Sequence, residues 1–173
     1  MNYTFEPTDE DIKKCHDLET EYADTRRYGS EDGFFIKVES IDIYHRLRDS
    51  GNLLVVKDGP LVVGFILMIP PDDSVMHRLF DSGFMEWYVT NDYNAKNCAW
   101  IAKIAVNKSY KKQGIGSGLL RRIFEKYGSY SVITTTALYP VRNKAIEATL
   151  KSVNMERKGV FVSSIGVNTL WGS

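Results

Sequence analysis

The chain has 173 residues, of which 43% are hydrophobic and 25% are charged, and these proportions exclude an extensively disordered protein. Its 22 basic and 22 acidic residues cancel, so no overall charge draws it to nucleic acid or to an anionic membrane. The length predicts a single domain over residues 1–173.

Two helices are predicted after a short N-terminal strand. Asn2–Glu6 alternates as a strand does, and Thr8 is the predicted N-cap of a helix with an acidic first turn, which suits the helix dipole. Ser40–Ser50 predicts a second, shorter helix. The residues predicted to face inward are Ile12, Cys15, Leu18 and Tyr22 in the first helix and Ile41, Tyr44 and Leu47 in the second.

Strands dominate the predicted middle of the chain. An Asp-Gly pair between two apolar runs is a strong hairpin signal, and Asp58-Gly59-Pro60 provides it here. The predicted elements are strands over Asn52–Lys57 and Leu61–Ile69, a short helix near Val75–Phe80, a strand near Met85–Val89 and a strand over Cys98–Val106.

The C-terminal part alternates helices and strands. The predicted elements are a helix over Gly114–Tyr127, a strand over Tyr130–Thr136, a helix over Val141–Val153 and a closing pair of strands over Met155–Val162 and Ile165–Trp171. In the last helix the predicted inward residues are Ala145, Ile146, Thr149, Leu150 and Val153. The order of elements predicts an α+β fold, a mixed sheet flanked by helices. Leu170 and Trp171 fit a closing strand or the pairing surface of a homodimer equally well.

The sequence shows no signal for export, membrane insertion or metal binding. The first seven residues lack the regions of a signal peptide, and the longest apolar run, Leu61–Ile69, is too short to span a bilayer. Cys15 and Cys98 do not make a disulfide framework, and the three histidines lack the spacing of metal ligands. We therefore expect a cytoplasmic protein without a metal.

The segment Ile101–Leu120, IAKIAVNKSYKKQGIGSGLL, carries the strongest chemical signal. The first N–H groups of a helix lack intrahelical partners and attract anions, and glycines let a phosphate approach them. Gly114, Gly116 and Gly118 stand at this helix start, beside three basic residues, Lys108, Lys111 and Lys112. The segment predicts a phosphate site, although a tight strand-to-helix turn and a solvated basic patch would share parts of the pattern.

Two familiar phosphate loops do not fit this segment. A Walker A loop requires a lysine directly after its last glycine, and none follows here. A dinucleotide-binding fingerprint requires Gly-x-Gly-x-x-Gly at the opening of a βαβ unit. Gly118 comes one residue too early for that pattern, and the strand lies late in the chain.

The segment resembles the cofactor motif of the GNAT superfamily of N-acetyltransferases, Arg/Gln-x-x-Gly-x-Gly/Ala. Gly114 and Gly116 match it, with Lys111 where arginine or glutamine is usual. The resemblance extends to the opening Glu6–Ile12, to the hairpin Lys57–Gly64 and to an asparagine, Asn143, at the start of the last helix.

The resemblance implies a GNAT fold of about seven mostly antiparallel strands, splayed between strands four and five, with acetyl-CoA as cosubstrate. The pantetheine arm would pair with strand four, and the diphosphate would lie on N–H groups of the glycine segment. The implied cofactor-binding residues are Ile104, Ala105, Val106, Lys111, Lys112, Gln113, Gly114, Ile115, Gly116, Ser117, Gly118 and Asn143.

The resemblance also implies direct attack of an amine on the thioester, which needs a base and an acid. Relatives often supply the acid from a tyrosine seven residues after the motif asparagine, where this chain has Leu150. Tyr139 is the nearest substitute, and solvent is the other. Glu86 is the first candidate for the base, before Tyr88 and Asp92. The acceptor site is implied near a cluster formed by Tyr22, Arg26, Arg27, Tyr28, Phe34 and Phe35.

Three hypotheses follow from the sequence. The first is an enzyme that acetylates a primary amine, which could be a small amine, an amino acid, a peptide N-terminus or a lysine. Acids in the segment Pro70–Asn97 could attract a cationic acceptor. The second is a non-catalytic acyl-CoA-binding sensor or regulatory module, favoured by Leu150. The third is an interaction protein that has lost the cofactor, which the intact glycines oppose.

Overall fold

A computed structural model describes residues 1–25, 39–81, 93–139, 142–163 and 166–173, without the side chains of 24–25, 79–81, 138–139, 161–163 and 166. The strand predicted near Met85–Val89 lies outside these residues. The elements are β1 Asn2–Thr4, α1 Asp9–Thr25, α2 Ile41–Asp49, β2 Leu53–Asp58, β3 Leu61–Ile69, α3 Ser74–Asp81, β4 Cys98–Val106, α4 Ile115–Lys126, β5 Ser131–Tyr139, α5 Lys144–Lys151, β6 Glu156–Ser163 and β7 Gly166–Gly172.

The strands form one seven-stranded sheet in the order β1-β2-β3-β4-β5-β7-β6. Every pairing is antiparallel except the one between β4 and β5. The helices α1 and α2 cover one face of the sheet, and α4 and α5 cover the other. The predicted mixed sheet flanked by helices is therefore confirmed.

The start of α1 is fixed by the predicted cap. The N–H of Asp11 donates to the Thr8 hydroxyl at 3.2 Å, and the N–H of Thr8 donates to the Asp11 carboxylate at 3.0 Å. This reciprocal pair satisfies two N–H groups that the helix leaves unpaired. The predicted inward residues of α1 are all buried.

Two side chains predicted to face inward are exposed. Ile41 is 38% exposed, because three-residue steps rotate around a helix of 3.6 residues per turn and leave Ile41 at the edge of the buried stripe. Ala145 is also exposed, and Glu147 is buried instead. Burial of Glu147 is tolerated because Arg142 binds its carboxylate through two hydrogen bonds, of 2.9 and 2.6 Å.

The boundaries of two C-terminal elements differ from the prediction. The strand β5 extends to Tyr139, beyond Thr136, because it pairs with β7 over that length. The helix α5 begins at Lys144, after its cap Asn143. The closing pair is confirmed, and Leu170 and Trp171 are buried within the protein's own sheet. These two residues therefore give no support to a homodimer.

A bulge interrupts β4. Leu67 pairs with Lys103 and Met68 pairs with Ile101, so Ala102 is an extra residue in β4. A bulge bends its strand and disrupts the ladder locally. Pairing between β4 and β5 ends at the same level, with Ile101 opposite Thr134. The bulge therefore accounts for the divergence of β4 from β5.

Candidate active site

An opening in the sheet lies between the C-terminal halves of β4 and β5. Beyond the Ile101–Thr134 pair, β4 continues to Val106 on β3 and β5 continues to Tyr139 on β7. The backbones of both strands are described throughout, and no rung joins them in this stretch. The splay implied between strands four and five is therefore present.

Main-chain groups of β4 face this opening. The N–H of Asn107 donates to the Val63 carbonyl of β3 at 2.8 Å. Because the direction of these groups alternates along a strand, those of Ala105 also face β3, whereas those of Ile104 and Val106 face the opening. An extended ligand could pair with Ile104 and Val106 as an added strand does. Ala105, which we expected to share this role, is engaged with β3.

The loop before α4 has an unusual backbone. Lys112 has φ 63° and Gly114 has φ 75°. Lys111, the residue before Lys112, has φ −62°. A left-handed conformation is uncommon for a residue with a side chain and is found at ligand-binding turns. Turns that contain left-handed residues can present successive main-chain N–H groups on one side, where they form an anion-binding concavity.

The N–H groups that follow this loop precede the first helical hydrogen bond. Gly118 N–H donates to the Gly114 carbonyl at 2.8 Å. Ile115, Gly116 and Ser117 come before it, so their N–H groups lack intrahelical acceptors. Gly118, which we expected in the same cradle, has its N–H engaged within α4.

The three glycines serve three different purposes. A side chain on Gly114 would meet no atom within 4 Å, and only its left-handed backbone requires glycine. A Cβ on Gly116 would lie 3.0 Å from a methyl of Thr149, so this glycine lets α4 approach α5. A Cβ on Gly118 would collide with the Tyr3 hydroxyl. Of the three, only Gly114 is therefore required by the backbone conformation of the loop and not by packing against a neighbour.

The basic residues of the segment surround Tyr22. The ammonium groups of Lys108 and Lys111 each lie 5.5 Å from the centre of the Tyr22 ring, within range of a cation–π attraction. Lys108 also pairs with Glu21 at 2.8 Å. The Tyr22 hydroxyl donates to the Val106 carbonyl at 2.5 Å, so α1 is fastened to the end of β4 at the mouth of the opening.

Asn143 caps α5. Its Oδ1 accepts from the Ile146 N–H at 3.2 Å, and its own N–H donates to the Ala137 carbonyl at 3.2 Å. Capping uses only Oδ1, and the Nδ2 group can still donate a hydrogen bond. Asn143 therefore caps the helix, and its contact with the cofactor stays a prediction.

A buried charged network lies on the α1 side of the β4 bulge. Glu19 has no exposed surface, and its carboxylate binds Lys103 at 3.0 Å and accepts from the Tyr44 hydroxyl at 2.7 Å. Burial and the Glu19 carboxylate raise the pKa of Tyr44, which keeps its hydroxyl a donor. The N–H of Glu39 also donates to Glu19 at 3.2 Å.

Sequence reasoning missed this network. The signal was available in two places: Lys103 interrupts the apolar strand IAKIAV, and Glu19 lies four residues after Cys15 on the inward face of α1. Charged residues in such positions are almost never buried without a partner.

Most predicted catalytic side chains lie outside the described residues. Glu86, Tyr88 and Asp92 are among them, as are all members of the implied acceptor cluster except Tyr22. The backbone of Tyr139 pairs with Val167 at the end of β5, and its side chain is not described. Leu150 is completely buried, so its position supplies no acid.

Two acids of the segment proposed to attract a cationic acceptor already have partners. Asp72 lies 2.7 Å from His77, and Asp73 lies 2.7 Å from Arg46. Burial opposes ionisation of Asp73, but the Val75 N–H and Arg46 outweigh it and lower the pKa of this carboxyl. In the described part of this segment, these two carboxylates are therefore already engaged within the protein.

Two other features are absent from the described part of the chain. No group of three or more histidine, cysteine or acidic side chains there is arranged to hold a metal ion. Likewise, none of the helices seen in these residues has the length and apolar character needed to cross a membrane.

Comparison with known proteins adds independent evidence. The acetyltransferase (GNAT) family model matches residues 15–151. A GNAT-family acetyltransferase from Streptococcus agalactiae has a TM-score of 0.71 at 13% identity, over 99% of this chain and 94% of that one. An N-acetyltransferase from Staphylococcus aureus gives 0.68 at 15%, over 100% and 98%. The ribosomal-protein-S18-alanine N-acetyltransferase from Escherichia coli gives 0.58 at 13%, over 99% and 91%.

At these identities the solved structures establish a shared fold and leave the substrate open. No protein of curated function matches the sequence. The family model, however, covers more than half of the chain and includes β4, the loop with left-handed Lys112 and Gly114, and Asn143. With its splayed seven-stranded sheet, this chain belongs to the GNAT family of acetyltransferases.

Proposed function

We propose that this protein is an N-acetyltransferase that moves the acetyl group of acetyl-CoA to a primary amine by direct attack in a ternary complex. The observation that carries the proposal is the pair of left-handed residues, Lys112 and Gly114, directly before α4 and beside the opening in the sheet. A non-glycine residue in this conformation is strained by about 1–3 kcal/mol, and such strain clusters at ligand-binding sites.

Two sets of main-chain groups would hold coenzyme A. The N–H groups from Lys112 to Ser117 would bind the diphosphate, since they combine a nest of amides with the positive end of a helix. The Ile104 carbonyl and the Val106 N–H would pair with the amides of the pantetheine arm, since the Val106 carbonyl already accepts from Tyr22. Asn143 would donate a hydrogen bond from its Nδ2 group to the pantetheine arm. Acetyl-CoA supplies an acyl carbonyl that is activated for attack by its thioester.

The protein's own groups would then serve the reaction at the β4 bulge. The N–H of Ile104 faces the opening and is a donor for negative charge that develops on a carbonyl oxygen. The alkylammonium form of the acceptor must lose a proton before attack, for which Glu86 stays the proposed base. Collapse of the attacked thioester releases the thiolate of coenzyme A, and Tyr139 stays the proposed acid that protonates it, because Leu150 is buried and apolar.

One observation favours a second candidate, a non-catalytic acyl-CoA sensor. Leu150 packs in the core with Met155 where many relatives have a tyrosine, so a usual proton donor is missing. The same binding groups would serve this function.

Two measurements test these functions in sequence. Acetyl-CoA at ~100 times its Kd should stabilise the protein by about 2.7 kcal/mol in a thermal shift. Release of free thiol is then followed with a panel of small amines, amino acids, peptides with free N-termini and lysine side chains. Steady turnover with any amine supports the transferase and excludes the pure sensor. Binding without turnover would favour the sensor, and absence of binding would overturn both.

A further inference from the structure

The opening between β4 and β5 has a closed end. The Thr134 hydroxyl donates to the Ile101 carbonyl at 2.8 Å, and these two residues form the last rung between the strands. Both are buried, with 6% and 2% of their surfaces exposed. This end cannot recede without breaking a buried hydrogen bond, which is costly when a polar atom is left unpaired.

Only a short length of strand separates this end from the main-chain groups that face the opening. Ile104 is the nearest of them to the Thr134–Ile101 rung. Because Ala102 is the extra residue of the bulge, two ladder steps lie between Ile104 and Ile101. At a rise of about 3.4 Å per residue, the distance along the strand is about 7 Å.

The proposed function, on which this inference rests, fixes the direction of an acyl-CoA in the opening. The helix α4 follows the C-terminal end of β4, so a diphosphate at its start places the thioester end of the pantetheine arm toward the Thr134–Ile101 rung. The pantetheine amide that donates to the Ile104 carbonyl is followed by two methylenes, the sulfur and the acyl group. With an acetyl group, this chain already fills the available length.

We propose that Thr134 is the residue that sets the acyl-chain length, and that the Thr134–Ile101 rung admits an acetyl group and rejects longer acyl chains. Behind this rung the two strands pair continuously back to Cys98 and Ser131, so the opening does not continue in the sheet plane. A longer chain would have to displace the Thr134 side chain from the Ile101 carbonyl.

The test measures binding, independently of turnover. Calorimetry gives the Kd of CoA, acetyl-CoA, butyryl-CoA and hexanoyl-CoA for the wild type and for Thr134→Ala and Thr134→Ser. The serine variant keeps the hydroxyl and is the conservative control. Thr136→Ala is the matched control on the same strand, because it also loses a buried hydroxyl, one that accepts from the Trp171 indole at 2.9 Å, but it leaves the rung intact.

We expect the wild type to bind hexanoyl-CoA at least about tenfold more weakly than acetyl-CoA, since one surplus methylene in a closed pocket has an effect of this size. Thr134→Ala should reduce that ratio by about tenfold, while Thr134→Ser and Thr136→Ala should keep it. Equal binding of hexanoyl-CoA and acetyl-CoA by the wild type overturns the inference, even if Thr134→Ala does not fold. An unchanged ratio in folded Thr134→Ala also overturns it.

These outcomes separate the two levels of the proposal. If acetyl-CoA binds and is used while the acyl-chain profile ignores Thr134, only the role of Thr134 fails. If neither CoA nor any acyl-CoA binds the wild type, the proposed function and this inference fail together.

Discussion

The ammonium group of Lys103 lies 3.0 Å from the Glu19 carboxylate, beside the extra residue that bends β4 away from β5. The Glu19 side chain is fully buried and that of Lys103 is 9% exposed, so the pair joins α1 to the strand in a region of low dielectric. Such a pair contributes little net stability when intact, but loss of one partner leaves the other charge buried without a counter-ion.

Substitution of Lys103 alone should therefore strongly destabilise the folded protein. We expect Lys103→Met to lower the free energy of unfolding by about 3–5 kcal/mol, because Glu19 would keep a buried charge without its partner. The double variant Glu19→Gln/Lys103→Met should recover most of this loss. Denaturant unfolding measures both, and a cost for Lys103→Met near the ~1 kcal/mol of an exposed ion pair would contradict the expectation.

Gly114, the left-handed glycine before α4, should be required for CoA binding as well as for the backbone conformation of the loop. Gly114→Ala should lower stability by about 1–2 kcal/mol, the cost of a left-handed L-residue, and should weaken CoA binding by distorting the N–H groups that follow. Gly59 is a matched control, since it has φ 55° and also has no atom within 4 Å of an added Cβ. Gly59→Ala should cause a similar loss of stability and leave the Kd of CoA unchanged. Equal effects of both variants on CoA binding would contradict the phosphate site.

The observed capping role of Asn143 and its predicted contact with the cofactor can be separated. Asn143→Ala should lose about 1 kcal/mol of stability with the N-cap and should also weaken CoA binding. Asn143→Ser keeps a capping oxygen, so its stability should stay near that of the wild type while the shorter side chain loses the cofactor contact. Thermal unfolding and the Kd of CoA give the two readouts. Wild-type CoA affinity in Asn143→Ser would leave the residue with a capping role alone.

We expect that glycine is required at position 118 because of the contact with Tyr3 and not because of the cofactor. Gly118→Ala places a methyl against the Tyr3 hydroxyl, and Arg122 stacks 3.6 Å from the centre of the Tyr3 ring, which hinders its retreat. We expect a loss of about 1–3 kcal/mol, as for other overpacked sites.

Tyr3→Phe should relieve part of this loss, because it removes the nearest atom. A double-mutant cycle measures the coupling between the two positions. Strict additivity of Gly118→Ala and Tyr3→Phe would show that the two groups do not collide.

The buried acid of α5 predicts a pH dependence of stability. Hydrogen bonds from Arg142 hold the pKa of Glu147 below its ordinary value of 4.5. Its contribution to stability is therefore present above that value and is lost as the pH falls through the lower pKa of the folded state. Glu147→Gln should show a shallower loss of stability between neutral and acidic pH than the wild type. Parallel curves for the two proteins would contradict this origin.

Sequence patterns predicted the strands and helices well where one period dominated. The apolar run Leu61–Ile69 and the mixed run Cys98–Val106 have the predicted bounds, because burial on both faces leaves few polar interruptions. The face of α1 was also predicted, since its cap and its apolar spacing agree. The predictions that Ile41 and Ala145 face inward were wrong because hydrophobic spacing alone does not show where a helix meets its neighbour.

Long-range relationships were beyond the sequence. The resemblance to a family indicated the splay, but the bulge at Ala102 that produces it depends on the register between β3 and β4, which no local pattern encodes. Similarly, Gly116 and Gly118 have the spacing of a phosphate loop, yet Thr149 and Tyr3 explain them. A glycine motif combines functional and packing requirements, and only the neighbours of each glycine distinguish the two.

The bulge has a consequence for how such a pocket can arise or disappear. Trp100 and Ala102 pack toward α1, as do Ala105 and the Lys103 side chain, whereas Ile101 and Ile104 pack toward α4. Deletion of Ala102 would therefore leave every other residue of the strand on its present side and would remove the bulge at which β4 turns away from β5. The slot between β4 and β5 is therefore tied to one extra residue of the chain, and we expect its deletion to narrow the slot.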